Sequence, residues 1–346
     1  MLRLNRCYCA DALSGLKQLE TGSVNCCVTS PPYYGLRDYG IDGQIGLEST
    51  PEEYISRTVS VFREVWRVLH DDGTLWLNMG DTYAGSGMGA ANYPNKTGEK
   101  QTTNKGSIST TGRAGLRFDG IKPKDLMGMP WMLAFALRAD GWYLRQDIIW
   151  EKPNPMPESV RDRCTKSHEY IFLLSKRQRY YFDAAAIAEP VAESTVERLN
   201  QDIGNQAGSS RVPGKTNGPM KADAPRYGGN KYTANPEVFY RIKSGNAYEF
   251  HAKRNKRDVW DVSTRPFKGA HFATFPVELI TPCILAGCPK GGTVLDPFMG
   301  SGTTLVTANE LDRNCIGFDL NPDYCNMANR RRENAMAQQS LFRNII

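Results

Sequence analysis

No apolar run in this sequence approaches the length of a membrane span, and its first stretch, MLRLNRCYCADAL, lacks the charged, then apolar, then small order of a secretory signal. A membrane protein and an exported one are thereby excluded as expectations, and a cytoplasmic protein is expected. The nine cysteines are odd in number and scattered, without the density of a secreted disulfide framework, so they read as reduced core thiols. Cys7-x-Cys9 has no second Cys or His pair at a ligand spacing, which leaves alternating strand residues as its reading and no metal. Internal repeats and coiled-coil heptads are also missing. The one conspicuous glycine turn, Gly300-Ser301-Gly302, has no Lys after its last glycine, which excludes a Walker A loop, and no third glycine at the spacing of a dinucleotide fingerprint.

What is present is ordinary globular material with a basic bias. With 346 residues, 40% of them hydrophobic, the chain has enough to bury one large core, or one core and a smaller lobe. The net charge of +6 points to a polyanionic partner without naming it. Residues 5–10 and 24–29 read as strands around a short helix, 11–19. Helix 51–69 is signed by Thr50 as cap, Pro51 in the first turn, Glu53 closing a capping box, and an apolar face of Ile55, Val59, Phe62, Trp66 and Leu69. Asp71-Asp72-Gly73 is expected to end it before a strand at 74–78. A helix from Pro130 to Ala139, strands at 142–150 and 169–175, a helix at 276–286 and a strand, turn, helix, strand run over 294–319 continue the alternation. It predicts an α/β fold with a doubly wound, mostly parallel sheet.

Two segments interrupt the pattern. Residues 84–120 are rich in Gly, Ser, Thr, Asn and Lys and carry almost no apolar periodicity, the composition of a mobile functional loop or a disordered one. Residues 185–258 interleave basic side chains, among them Arg198, Arg211, Lys231 and Arg241, with Tyr227, Tyr232, Phe239, Tyr240, Tyr248 and Phe250. Taken alone, that pattern fits a solvated insertion as well as a nucleic-acid surface.

Two short stretches carry chemistry. Ser30-Pro31-Pro32-Tyr33 follows the apolar strand 24–29 and so sits on a rigid turn at a carboxyl end, where open α/β sheets bind ligands. Asp296-Pro297-Phe298-Met299-Gly300-Ser301-Gly302-Thr303 lies between a strand and a helix, where glycines allow close approach of a ligand to backbone. Asp296 at the strand tip would repel a pyrophosphate. A cationic ligand with a ribose suits it better: Asp319, at the next strand tip, is placed for ribose hydroxyls, and Asp296 for the sulfonium or amino end of S-adenosylmethionine.

With both stretches in hand, the sequence resembles the S-adenosylmethionine-dependent exocyclic amino-methyltransferases of DNA, whose catalytic motif is of the Ser/Asp/Asn-Pro-Pro-Tyr/Phe type. The catalytic motif precedes the cofactor motif, which is the circularly permuted β-type order. Weaker likenesses, GTLWLNMGDTY, GWYLRQDIIWEKPNP, SHEYIFLLSK and HFATFPVELI, follow in order. The resemblance implies a Rossmann-like methyltransferase sheet, with a catalytic half in 1–184, an inserted target-recognition lobe in 185–258 and a cofactor half in 259–346. It implies catalytic roles for Ser30, Pro31, Pro32 and Tyr33. Asp296, Pro297, Phe298, Gly300, Ser301, Gly302, Thr303 and Asp319 would bind the cofactor, with Ala273, Thr274, Phe275 and Pro276 at its methionine end. For Phe275, core packing fits equally well.

The substrate implied is double-stranded DNA with the target base flipped out of the helix. A restriction endonuclease partner and a homodimer are raised by the same likeness. Ser rather than Asp at position 30 resembles the cytosine-N4 branch more than the adenine-N6 branch. Methylation at cytosine carbon 5 is disfavoured, because Pro282-Cys283 falls inside an apolar helix and Cys283 reads as core. An RNA substrate and a non-catalytic nucleic-acid binder stay open as alternatives.

Overall fold

A computed structural model describes residues 2–36, 38–84, 121–122, 124–192, 238–243, 246–251, 253–264 and 275–343. The first half of the chain alternates β1 (Arg6–Cys9), α1 (Ala12–Leu16), β2 (Val24–Thr29), α2 (Pro51–Val68), β3 (Leu69–Met79), α3 (Met129–Ala139), β4 (Tyr143–Glu151) and β5 (His168–Ser175). Short strands follow: β6 (Glu189–Pro190), β7 (Val238–Lys243), β8 (Asn246–His251), β9 (Lys253–Arg254) and β10 (Val259–Asp261). The last part is α4 (Val277–Gly287), β11 (Thr293–Asp296), α5 (Thr303–Glu310), β12 (Asn314–Asp319) and α6 (Pro322–Arg343).

Eight strands form one sheet in the order β1-β12-β11-β2-β3-β5-β4-β10. All neighbouring pairs are parallel except those that β5 makes with β3 and β4, so β5 alone runs in reverse. The side-chain period of two decides what each face buries. Leu75 and Leu77 of β3 join a core cluster with Phe62 and Val65 of α2 and Leu133 of α3. On the other face, Thr74 and Trp76 come up against Gly287 at the end of α4. Helices therefore cover both faces, the doubly wound α/β arrangement expected from the alternation.

The permutation is visible in the sheet itself. β11 and β12, from the end of the chain, lie between β1 and β2, from its beginning. β1 pairs with β12, Cys9 opposite Asp319, so an N-terminal strand stands on the side of the glycine turn. Conversely, β10 pairs with β4 at the far edge.

The described elements fall into two compact units, residues 1–182 with 258–346, and residues 183–257. Within the smaller, β7 and β8 form an antiparallel hairpin and β6 pairs with β9. The Glu189 carboxylate lies 3.2 Å from Lys256, 3.6 Å from Arg254 and 3.7 Å from Arg257. Residues 193–237 of the basic, aromatic segment and 85–120 of the Gly-, Ser- and Thr-rich stretch lie outside the described residues.

Helix α2 ends one residue earlier than expected, and β3 begins at once, so Asp71-Asp72-Gly73 runs within a strand. Leu69 pairs with Val24 ahead of a register shift, and Asp71 is held by Arg177 at 2.7 Å and Lys176 at 3.6 Å. Tertiary pairing overrides the turn signal of the local sequence. At the other end of α2, Thr50 Oγ1 accepts from the Glu53 amide at 3.1 Å, while the Glu53 carboxylate accepts from Ser49, from its amide at 3.1 Å and its hydroxyl at 2.6 Å. Thr50→Ala should lower stability by about 1 kcal/mol in urea unfolding. An unchanged midpoint would show that tertiary contacts alone hold this end.

Candidate active site

The parallel strands all end along one edge, and the residues that succeed them meet there. Asp11 follows β1, Ser30 follows β2, Gly80 follows β3, Lys152 follows β4, Pro297 follows β11 and Leu320 follows β12, while the reversed β5 brings in Glu169 from its amino end. These residues line one cavity of about 1550 Å³.

Ser30, Pro31, Pro32 and Tyr33 all line it. The Pro32 carbonyl accepts a hydrogen bond from the buried Tyr54 hydroxyl of α2 at 2.9 Å. No donor among the described residues reaches the Pro31 carbonyl. The Ser30 hydroxyl approaches the Tyr33 oxygen at 3.4 Å, and the Tyr33 hydroxyl donates to Glu169 Oε2 at 2.7 Å. Burial, with the Glu169 charge added to it, holds the Tyr33 phenol well above its ordinary pKa, so it remains a donor.

The second stretch forms the opposite wall. Pro297, Phe298, Gly300, Ser301, Thr303, Asp319 and Phe275 line the same cavity. Gly302 and Asp296 are not among the lining residues, and Thr274 lies outside the described residues. Gly302 serves packing: its φ is +83°, and a Cβ there would stand 2.5 Å from Ala328 Cβ of α6. The turn is tied down by Met299 N donating to Phe318 O at 2.8 Å and by Arg331 donating to the Ser301 carbonyl and hydroxyl at 2.6 and 2.8 Å.

The expectation that Asp296 faces a ligand's cationic end does not match its surroundings. Only 1% exposed, it accepts from Thr29 Oγ1 at 2.6 Å, Thr304 Oγ1 at 2.7 Å and the Phe298 amide at 3.1 Å. Burial pushes its pKa up to about 6, against the pull of those three hydrogen bonds. Asp319 does face the cavity. Its oxygens accept from the Gly300 and Asn321 amides, both at 2.8 Å, and burial raises its pKa.

Several cavity residues escaped the reading from sequence alone. Asp11, the cap of α1 through Ser14, appeared only as a helix start. Lys152 and Glu169 sit inside stretches that resemble family motifs, yet their ion pair follows from the β4–β5 register, in which Trp150 pairs with Glu169. Asn78 adds a hydrogen bond from Nδ2 to Glu169 Oε2 at 3.3 Å. The usable signal was a charge at a strand end: Lys152 directly after β4, and Glu169 as the second residue of β5, ahead of its apolar run.

Residues 24–330 match the DNA methylase family. The chain belongs to that family. It is 44% identical over 321 residues to the type II methyltransferase M.Cfr9I of Citrobacter freundii, covering 93% of this chain and 85% of the relative. To M.SmaI of Serratia marcescens it is 42% identical over 330 residues, covering 95% and 91%. In fold it matches TTHA0409 of Thermus thermophilus, complexed with S-adenosyl-L-methionine, with a TM-score of 0.54 at 21% identity over 95% of this chain and 93% of the other. It also matches the cytosine-N4-specific PvuII DNA methyltransferase, with a TM-score of 0.55 at 15% identity over 95% and 89%. This DNA methylase is thus a DNA amino-methyltransferase whose methyl donor is S-adenosylmethionine.

The chemistry of the wall fits that cofactor. Each Asp319 oxygen carries one backbone hydrogen bond and keeps a lone pair for a ribose hydroxyl, since a carboxylate accepts about four. Phe298 and Phe275 supply apolar surface beside it.

Asp296 makes two outcomes testable. Asp296→Ala orphans the Thr29 and Thr304 hydroxyls, and urea unfolding should show a loss of roughly 1–3 kcal/mol for each. Because the native pKa near 6 exceeds the ordinary 3.8, the folded state holds the extra proton between those values. Its contribution to stability therefore grows as pH falls from 6 towards 4 and vanishes as a slope in Asp296→Asn. Identical pH slopes for the two proteins would refute this assignment.

Proposed function

We propose that this DNA methylase transfers a methyl group to the N4 amine of a cytosine flipped out of duplex DNA, with Ser30, Pro31, Pro32 and Tyr33 as its catalytic residues. The observation that carries the reading is the meeting of Ser30–Tyr33 and the 297–303 turn, with Asp319, on one cavity. That cavity exceeds the roughly 300–1,000 Å³ of a single small-molecule site, which supports two ligands side by side. When bound, S-adenosylmethionine supplies an electrophilic sulfonium methyl.

The chain itself has to make a poor nucleophile reactive. An exocyclic amine delocalises its lone pair into the base, and acceptors for both N–H groups draw the nitrogen towards tetrahedral geometry. The Ser30 hydroxyl and the Pro31 carbonyl are those acceptors. Tyr54 fixes the turn by holding the neighbouring Pro32 carbonyl. The Tyr33 ring, half-buried in the wall, offers a stacking face. Because the site lies in a cleft at the strand ends, the amine reaches it only outside the stacked duplex.

On the donor side, Asp319 holds the ribose, Phe298 and Phe275 contact the apolar parts, and Gly300, Ser301 and Thr303 shape the turn. Asp296 and Gly302 act from behind, by positioning it.

The preference for cytosine N4 over adenine N6 rests on serine at position 30. Residues 185–258, basic and aromatic in sequence, are the target-recognition region, whose cations hold phosphates while other side chains read base edges. A companion restriction endonuclease and a homodimer fit a type II system, and the cell interior is its location. Among the described residues no helix is long and apolar enough to cross a membrane.

Incubation with S-adenosylmethionine and mixed-sequence duplex DNA, followed by nucleoside mass spectrometry, should yield N4-methylcytosine. N6-methyladenine would overturn the base assignment, and methylated RNA with unmodified DNA would overturn the substrate. Ser30→Ala should bind cofactor and DNA with affinities within about threefold of wild type yet lose about 10²-fold or more in rate.

A further inference from the structure

A hydroxyl differs from a carboxylate in one respect that matters here: it carries a proton and must put it somewhere. If the Ser30 proton pointed at the substrate amine, the residue would be a donor towards a group that needs an acceptor. The proton therefore has to be committed elsewhere before the base arrives.

The surroundings of Ser30 provide that commitment through a chain whose donor direction runs one way. Lys152 is a donor only, and it is paired with Glu169 Oε1. An ion-paired carboxylate is an acceptor only, so the contact of 2.7 Å between Glu169 Oε2 and the Tyr33 oxygen takes the Tyr33 proton. Asn78 Oδ1 stands farther away, at 3.4 Å, and is uncharged. With its single proton spent on Glu169, the Tyr33 oxygen can only accept, and the Ser30 hydroxyl faces it at 3.4 Å. That distance is at the long end for two hydroxyls, as catalytic hydrogen bonds often are before substrate binds.

The contact is built into the backbone. Gly80, directly beyond β3, has no Cβ where one would stand 2.8 Å from Tyr33 Cε2 and 3.2 Å from Glu169 Cδ. A side chain there would force the Tyr33 ring or the Glu169 side chain to shift. Lys152 is also held from its other side, its ammonium 4.3 Å from the centre of the Trp150 ring.

We propose that Glu169 and Lys152 are positioning residues for methyl transfer, which act through the Tyr33 hydroxyl to keep Ser30 an acceptor. The proposal rests on the assignment of Ser30 as acceptor for the base amine. Tyr33 thereby has two roles, since its ring stacks on the base and its hydroxyl sets the direction of the Ser30 proton.

Stacking and direction separate experimentally. Tyr33→Phe keeps the ring and removes the relay; Glu169→Gln replaces an acceptor with a group that also donates; Glu169→Asp keeps the charge on a shorter arm. Single-turnover methylation should slow roughly 10- to 100-fold in Tyr33→Phe and Glu169→Gln, the size of a lost charge-assisted hydrogen bond. Glu169→Asp should recover part of that rate. Cofactor affinity by calorimetry, and base extrusion read from a fluorescent base analogue at the mapped target, should stay within about twofold of wild type, since neither depends on the Ser30 proton.

Wild-type single-turnover rates in both Tyr33→Phe and Glu169→Gln would overturn the proposal. So would extrusion falling in step with rate in Tyr33→Phe, which would make the hydroxyl part of base binding. Ser30→Ala, measured alongside, keeps the two levels apart: its inactivity beside an unaffected Tyr33→Phe removes the relay and leaves Ser30 as acceptor, whereas its full activity removes the acceptor role of Ser30 on which the relay rests.

Discussion

A single buried carboxylate holds the two halves of the site at one distance. Asp296 accepts from the Thr29 hydroxyl at the end of β2, the Thr304 hydroxyl of α5 and the Phe298 amide of the turn that joins β11 to α5. The residue after Thr29 is Ser30, and the residues after Asp296 form the wall of the cavity. Losing any of these bonds would let the turn move against the serine. Methyl transfer gains most of its rate from the placement of two reactants, and a misplacement of about 1 Å can cost on the order of a hundredfold. Burying a charge to secure that placement is costly, as the raised pKa of Asp296 records. The cost is offset because all three donors it meets would otherwise be buried without partners.

The permuted sheet makes this contact possible. Thr29 and Asp296 are far apart in sequence, yet β2 and β11 are neighbours, with Cys27 opposite Leu295. The same edge receives Asp11 from β1 and Asp319 from β12, whose last residues pair in register. The rest of the fold, including α2 with its buried Tyr54, supports this line of strand ends.

Much of this was legible in the residues. Periods of two and of 3.6 marked the strands and helices, and the capping signals of α2 located its start to the residue. Ser-Pro-Pro-Tyr and the glycine turn stood out because their prolines and glycines violate the surrounding pattern, as residues at sites do. What stayed hidden depends on register. The Lys152–Glu169 pair needs the antiparallel alignment of β4 with β5, which nothing local specifies, and β5 reads from its own sequence like any buried strand. The partners of Asp296 stayed hidden for a related reason: nothing next to a strand-tip carboxylate in sequence shows that the hydroxyls of a distant strand and a following helix donate to it. Asp71-Asp72-Gly73 shows the converse, a strong local stop signal overruled by pairing with β2.

Serine and aspartate at the first position of the Ser-Pro-Pro-Tyr motif make different demands on their neighbours. A carboxylate presents only lone pairs and needs nothing to make it an acceptor. A hydroxyl does, and under the proposed acceptor role of Ser30 the requirement propagates outward: to a phenol that gives its proton to a carboxylate, to an ammonium paired with that carboxylate, and to a glycine that leaves room for the meeting. An aspartate at position 30 would set a second negative charge against the Tyr33 hydroxyl, with Glu169 already on its other side, and the two carboxylates would compete for one proton. The first residue of the motif and the charge pattern behind its fourth are therefore one electrostatic unit. Exchanging serine for aspartate alone changes the acceptor and leaves the arm that served it working against the new charge.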